Sequence, residues 1–276
     1  MRNLYRILKN AMRGFFEDNA IQLAAALSFY AVSAIPPLLV GLVQMLNLLS
    51  TGPQAEDYLL YQARWLLGAR SLELLRAVLE QSHSGQEEGI AVAGILLLLV
   101  SVGGFFFQLQ AALNRIWKVE TSFALSWKEN VLKRALSMGV VVGTGFIVLA
   151  SILASAILGA AGETVSNQLG ISLALAKAGQ FLVSLALLAV VFALLFRLLP
   201  DAQVSWRSVW SGAMLAALLF SASKGLFGWC LGYANPGARY GAAGAVVLLL
   251  FWIDFACLIF LFGAEWTQVI HRRNQE

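Results

Sequence analysis

Two charged residues fall where an apolar helix would carry them deep into a bilayer. Lys224 and Asp254 each lie inside a long apolar run, and a charge at the centre of a spanning helix costs about 2.5 to 3.5 kcal/mol on insertion scales. Because a helix rises about 1.5 Å per residue, their depths differ by only a few ångströms. The sequence therefore allows an ion pair between them, either as a structural clamp or as part of a proton or headgroup site.

Glu265 adds a second carboxyl group to the apolar run that contains Asp254. The two residues are eleven positions apart, almost three helical turns, so they share one face of a helix. Since Glu265 is near the end of its run, two interpretations stay open. It either meets water or Arg115 at the cytoplasmic side, or it belongs to a polar pathway with Lys224.

Further polar side chains, most of them uncharged, gather in two places. In FFFQLQAALNRIWKV, residues 105 to 119, the pairs Gln108 with Arg115 and Gln110 with Asn114 form two neighbouring stripes at the end of a helix. They are predicted to cap helix ends or to line an inner vestibule. The first apolar run carries a second group just before Pro36-Pro37, where a kink or break would free backbone carbonyls beside hydroxyls; this group comprises Gln22, Tyr30 and Ser33.

The composition of the chain places these residues in lipid. Apolar residues make up 59% of the 276 positions and charged residues 12%, with a mean hydropathy of +0.76, whereas about a quarter of a soluble domain is charged. A spanning helix needs roughly 20 apolar residues. Six runs qualify, at about 21–50, 90–113, 135–160, 171–199, 208–232 and 242–270. The predicted fold is all-α: a polytopic bundle of six transmembrane helices forming a single integral membrane domain over residues 1–276.

Basic residues predict the orientation of this bundle. Lys and Arg are enriched in cytoplasmic loops, and they cluster before the first run and between the second and third runs. Both termini are therefore predicted to be cytoplasmic, and the basic excess needs no nucleic acid partner. In residues 1–18, basic residues and apolar residues lie on opposite faces of a helix, which predicts an interfacial helix. Residues 51–89 keep helical spacing and predict one or two short helices in an outer loop.

The sequence offers little for enzymatic chemistry. Its two histidines, His83 and His271, are predicted on opposite sides of the membrane, and Cys230 and Cys257 lie in apolar runs. Hydrolysis of RNA would need metal ligands or an acid–base pair, and no phosphate-binding or nucleophile-elbow motif is present. We therefore expect no catalytic residues, no metal, no cofactor and no enzymatic activity.

Four segments carry a resemblance to the YihY/virulence factor BrkB family. They are AAALSFYAVSAIPPLL at 24–39, FFFQLQAALNRIWKV at 105–119, PDAQVSWRSVWSGA at 200–213, and YGAAGAVVLLLFW through FGAEW at 240–266. The resemblance covers nearly the whole chain. It implies a multi-pass protein of the bacterial inner membrane, in a family once labelled ribonuclease BN and linked to serum resistance and envelope lipids. The matching positions are Ser28, Tyr30, Pro37, Asn114, Arg115, Trp117, Pro200, Trp206, Lys224, Tyr240, Gly241, Gly263 and Glu265.

These observations favour a transporter or flippase-like protein for an amphipathic, lipidic or anionic substrate. The alternative is a non-transporting envelope scaffold or regulator linked to envelope integrity or virulence; a ribonuclease has the least support. Membrane lipids and a small amphipathic substrate are the expected partners, and the sequence leaves oligomer formation open. The candidate pathway comprises Lys224, Glu265, Asp254, Arg115, Asn114, Gln108, Gln22, Tyr30, Ser33 and Tyr240.

Overall fold

The computed structural model describes residues 2–48, 88–119, 173–234 and 236–275. Within them the chain forms six helices and no strand, so the predicted all-α class is confirmed. The helices are α1 Arg2–Glu17, α2 Ala20–Leu48, α3 Glu88–Ile116, α4 Leu173–Leu198, α5 Trp206–Ala234 and α6 Pro236–Arg273. Helices α2 to α6 overlap five of the six predicted spans. The span predicted at 135–160 and the outer loop up to residue 87 lie outside the described residues.

Two of these helices are long and apolar enough to cross a membrane. The segments are Phe181–Leu198 of α4 and Val247–Arg273 of α6, with mean hydropathies of 2.6 and 2.5. Only 28% of each apolar window is buried inside the protein, so most of this apolar surface is left for lipid to cover. A shorter apolar stretch, Ala20–Ile35, forms the first part of α2. The number of spans and the cytoplasmic position of both termini stay predictions.

The first apolar run is a continuous helix. A break was one of two outcomes predicted at Pro36-Pro37, and it is wrong because α2 continues through both prolines to Leu48. Prolines are tolerated inside membrane helices, where neighbouring groups satisfy the freed carbonyls. Since the backbone of α2 is not interrupted, it does not form the broken-helix site that the sequence suggested.

The described residues divide into two compact units. Unit 1 contains residues 2–21, 110–119, 173–224 and 258–275, and unit 2 contains residues 22–48, 88–109, 225–234 and 236–257. Each unit is described below by itself. The single integral membrane domain predicted for residues 1–276 stays a prediction.

Close contact between α5 and α6 forms the core of unit 1. A Cβ atom on Gly263 would lie 2.7 Å from the Cβ of Ala216 and 3.1 Å from the carbonyl oxygen of Gly212, so glycine permits this helix crossing. The hydroxyl of Thr267 donates to the Gly263 carbonyl over 2.8 Å. Aromatic rings fill the adjacent space, with the Phe196 and Phe260 centroids 4.9 Å apart.

Unit 2 has its own close helix contact between α2 and α3. A Cβ atom on Gly104 would lie 3.3 Å from the ring of Tyr30, so the tyrosine packs against the α3 backbone. Further along α5 and α6, the rings of Phe227 and Trp252 are 4.5 Å apart. Aromatic contacts, one of them against a glycine, therefore contribute to the packing of the described part of this unit.

Candidate functional site

Helix α1 presents three different faces. One face packs on the rest of unit 1. On this face Ala11 and Phe15 are buried, and the Phe15 ring lies 6.0 Å from that of Phe262. A second face is apolar and exposed, and the third is mostly polar. This confirms an amphipathic N-terminal helix, while its position at a membrane interface stays a prediction. The exposed apolar face consists of Leu4, Tyr5, Leu8, Met12 and Phe16.

The polar face of α1 lines a cleft of about 530 Å³. The other walls come from the residues just after α3 and from the last turns of α6, so the cleft lies wholly within unit 1. Basic side chains outnumber carboxylates among its lining residues. The basic residues are Arg6, Arg13, Lys118, Arg272 and Arg273, and the acidic residues are Glu17 and Asp18.

Both carboxylates of the cleft are already paired. Arg13 donates to Glu17 over 2.7 Å on the exposed surface; this hydrogen bond and the Glu17 charge raise the pKa of the Arg13 guanidinium. Lys118 pairs with Asp18, whose side chain is only 6% exposed. Arg6, Arg272 and Arg273 have no ion-pair partner among the described residues. The cleft therefore keeps a surplus of positive charge.

The position of Lys118 depends on an unusual helix end. Lys118 has a φ of 53°, a left-handed conformation that costs about 1 to 2 kcal/mol in residues other than glycine. Its backbone N–H donates to the Arg115 carbonyl over 3.1 Å, and the N–H of Val119 donates to the Asn114 carbonyl over 2.9 Å. These two hydrogen bonds form a Schellman cap. The amide of Gln268 donates to the Ile116 carbonyl and covers another open acceptor. The end of α3 is thus held in the orientation that brings Lys118 to Asp18.

Glu265 lies directly behind this cleft, against α1. Its side chain is 0% exposed, and a Cβ atom on Gly14 would lie 2.5 Å from its Oε2 atom, so the glycine makes room for it. Neither carboxyl oxygen of Glu265, nor Oδ2 of Asp18, accepts a hydrogen bond from an N–H or hydroxyl group of the described residues; the carboxyl groups of Glu265 and Asp18 instead lie within hydrogen-bonding reach of each other. Buried polar atoms are nearly always hydrogen-bonded, and for the Glu265 carboxyl group the neighbouring partner is another acid. The sequence left open that Glu265 meets water or Arg115; it does not meet bulk water, and no hydrogen bond joins it to Arg115.

Asn114 is bound to a residue that the sequence did not single out. Its Nδ2 donates to Oδ2 of Asp201 over 2.9 Å, and its Oδ1 accepts from the Asp201 backbone N–H over 2.8 Å. Asn114 is buried, and Gln110 also reaches Asp201 over 3.4 Å. Both ends of the Asn114 amide are therefore used to join the end of α3 to the α4–α5 connection.

The remaining predicted residues are spread over both units. In unit 1, Arg115 is exposed, and Lys224 is exposed with Nζ 5.0 Å from the centre of the Phe220 ring. The side chains of nine of the ten predicted residues are described, and within each unit no hydrogen bond or ion pair joins two of these nine. The pairing of Lys224 with Asp254 stays a prediction. In unit 2, Gln22, Tyr30 and Ser33 are exposed, Gln108 and Asp254 are half-buried, and the side chain of Tyr240 lies outside the described part.

The sequence did not predict a site at this cleft. Arg6, Arg13 and Arg272 were recognisable as basic, but a basic residue near a helix end is also the usual signal of orientation. Asp18 gave one usable signal, an acidic residue at the end of a basic amphipathic helix. Gln268 gave none, because it is an ordinary polar residue near the end of α6 and its partner is 152 positions away.

Comparison with known proteins agrees with the resemblance noted in the sequence. The family model described as Virulence factor BrkB matches residues 11–276. A UPF0761 membrane protein of Alkalilimnicola ehrlichii is 31% identical over 265 residues, which cover 93% of this chain and 56% of that protein. A UPF0761 membrane protein of Alcanivorax borkumensis is 30% identical, with 94% and 59% covered.

A shorter relative has a different description. The putative ribonuclease-like protein YfkH of Bacillus subtilis is 23% identical over 256 residues, which cover 91% of this chain and 90% of that protein. The chain therefore spans most of YfkH but less than two thirds of the two UPF0761 relatives. No solved structure matches. Since the family model extends over nearly the whole sequence, the chain belongs to the Virulence factor BrkB family of membrane proteins.

Proposed function

We propose that this protein is a transporter or flippase-like protein for an anionic amphipathic substrate. The observation that carries the proposal is the construction of α1. Its polar face lines a cleft with surplus positive charge, and its neighbouring face exposes five large apolar side chains. An anionic amphiphile needs these two surfaces side by side, one for its charged group and one for its hydrocarbon.

The two surfaces would bind different parts of such a substrate. Guanidinium groups bind carboxylate and phosphate oxygens through two parallel hydrogen bonds, and Arg6 and Arg272 offer such groups in the cleft. Contact with hydrocarbon contributes about 25 cal/mol per Å² of apolar surface removed from water, and Tyr5 is 68% exposed. The substrate would therefore lie at the edge of the membrane with its charged group in unit 1.

Glu265 favours transport over a purely structural role. It lies within the apolar segment Val247–Arg273, and ionisable residues in such segments are costly and usually mark a functional pathway. Its carboxyl group lies against α1, directly behind the cleft, next to the Asp18 carboxyl group and without an N–H or hydroxyl donor among the described residues. The proposal includes no enzymatic step.

A lipid-movement assay tests this proposal. The full chain is reconstituted into vesicles, and movement of fluorescent phosphatidylglycerol between leaflets is followed by dithionite quenching. We expect the wild type to exceed protein-free vesicles, and Glu265→Gln, which keeps the shape but removes the acid, to lower the rate by about tenfold, the effect of 1.4 kcal/mol on a barrier. Arg207→Gln is the control, since Arg207 is exposed and does not line the cleft.

Two outcomes would contradict the proposal. A wild-type rate equal to that of protein-free vesicles would favour the scaffold or regulator. A Glu265→Gln rate equal to that of Arg207→Gln would remove Glu265 from the route.

A further inference from the structure

The surplus charge of the cleft comes from both ends of the described chain. Arg6 lies near the start of α1, and Arg272 and Arg273 form the last turn of α6. All three are exposed and line the same cleft. The other two cations, Arg13 and Lys118, are neutralised by Glu17 and Asp18. An anion bound in the cleft would therefore interact mainly with these three arginines.

Among the described residues, the side chains of only the second half of α1 are buried against the rest of unit 1. In the second half, Ala11 and Phe15 are buried, and Asp18, directly after the helix, is buried and paired with Lys118. From residue 4 to residue 10 every side chain is exposed except Ile7, which is half-buried. Arg6 lies in the middle of this weakly held half. A ligand that joined Arg6 to the end of α6 would supply the missing attachment.

Phosphate has the chemistry that fits this arrangement. A guanidinium fork matches the spacing of phosphate oxygens, and several forks can bind one phosphate from different sides. The three arginines repel one another across the cleft, and a group with about two negative charges offsets most of that repulsion. A carboxylate has one charge and two oxygen atoms, so it could not satisfy three guanidinium groups equally well.

We propose that the cleft of unit 1 binds a phosphate group through Arg6, Arg272 and Arg273, and that the bound phosphate fixes the first half of α1 against α6. The inference rests on the proposed function in one respect, because the same cleft receives the charged part of the transported substrate. The phosphate belongs either to a lipid headgroup or to a free phosphate ion.

The test measures binding and the protection of α1 on the full chain in a non-ionic detergent. The probes are inorganic phosphate and dioctanoyl phosphatidic acid, each compared with chloride at equal ionic strength. We expect calorimetric binding, and slower backbone hydrogen exchange in residues 4–10 than with chloride. Arg6→Gln and Arg272→Gln should each weaken binding by about tenfold or more, because each removes a charge-assisted contact. Arg207→Gln, an exposed arginine outside the cleft, should bind as the wild type does.

Each result decides one part of the inference. Tighter binding of phosphatidic acid than of inorganic phosphate identifies a lipid headgroup, and equal binding identifies the ion. No binding beyond that of chloride, or equal losses in Arg6→Gln and Arg207→Gln, would overturn the site. Binding without protection of residues 4–10 would overturn the attachment of α1. A protein that binds phosphate but moves no lipid would refute only the transport proposal, and one that moves lipid without binding phosphate would refute only this inference.

Discussion

Gly212→Ala is expected to destabilise the protein by about 3 kcal/mol, the upper end of the cost of overpacking a core. A Cβ atom at position 212 would overlap both the Thr267 hydroxyl and the backbone carbonyl of Gly263. The hydroxyl could rotate, but the carbonyl belongs to α6 and could move only if the helices separated. We expect a lower midpoint of thermal unfolding and a lower yield of monodisperse protein.

Gly179→Ala is the matched control for this substitution. Gly179 is a helical glycine in the same unit, and a Cβ atom there would have no atom within 4 Å, so its unfolding midpoint should not fall. Adding Thr267→Ala to Gly212→Ala should recover only part of the loss, because the Gly263 carbonyl stays in place. If Gly212→Ala unfolds at the same temperature as Gly179→Ala, the close crossing of α5 and α6 is wrong.

Asn114→Asp is expected to cost about 2 kcal/mol, since it replaces a hydrogen bond to a charged group by repulsion between two carboxylates. The new carboxylate would face Asp201 over the 2.9 Å now spanned by an N–H donor. The Asp201 backbone N–H would keep an acceptor, so the loss reports the side-chain contact alone. Thermal unfolding of the purified variant measures the effect.

The exchange of both residues provides a sharp test of this contact. In Asn114→Asp with Asp201→Asn, the new asparagine donates to the new aspartate and the backbone N–H of residue 201 still finds an acceptor. Both hydrogen bonds of the wild type are thereby restored with donor and acceptor side chains reversed. We expect the double variant to recover most of the lost stability. A double variant no more stable than Asn114→Asp would show that the two side chains do not interact.

The sequence predicted helices well because a long apolar run identifies a helix without knowledge of its neighbours. The resemblance to a known family likewise depended on the order of segments along the chain. Contacts between distant segments were not accessible in this way. Asn114 was recognised as a helix-end residue, but Asp201 is 87 positions away, and Lys118 and Asp18 are 100 positions apart. Such partners become neighbours only through helix packing, which periodicity along one helix does not describe.

The sequence did not predict which charged residues would be buried. Counting residues places both Lys224 and Glu265 in apolar helices, yet Lys224 is exposed on α5 whereas Glu265 is wholly buried beneath α1. The difference depends on Gly14, which leaves space for the Glu265 carboxyl group. A small residue opposite a carboxyl group becomes informative only when the helix that carries it is known to pack there.

The length of the last apolar segment determines where the cleft meets its surroundings. Val247–Arg273 contains 27 residues, which at about 1.5 Å each extend for about 40 Å. The hydrocarbon layer of a bilayer is about 30 Å thick, and about 40 to 45 Å when the headgroup layers are included. A spanning segment of this length reaches from the hydrocarbon into a headgroup layer. Because Arg272 and Arg273 end this segment, we expect them to stand among the polar groups of the lipids. A molecule diffusing within the membrane and one dissolved in water could then approach the same guanidinium groups of the cleft.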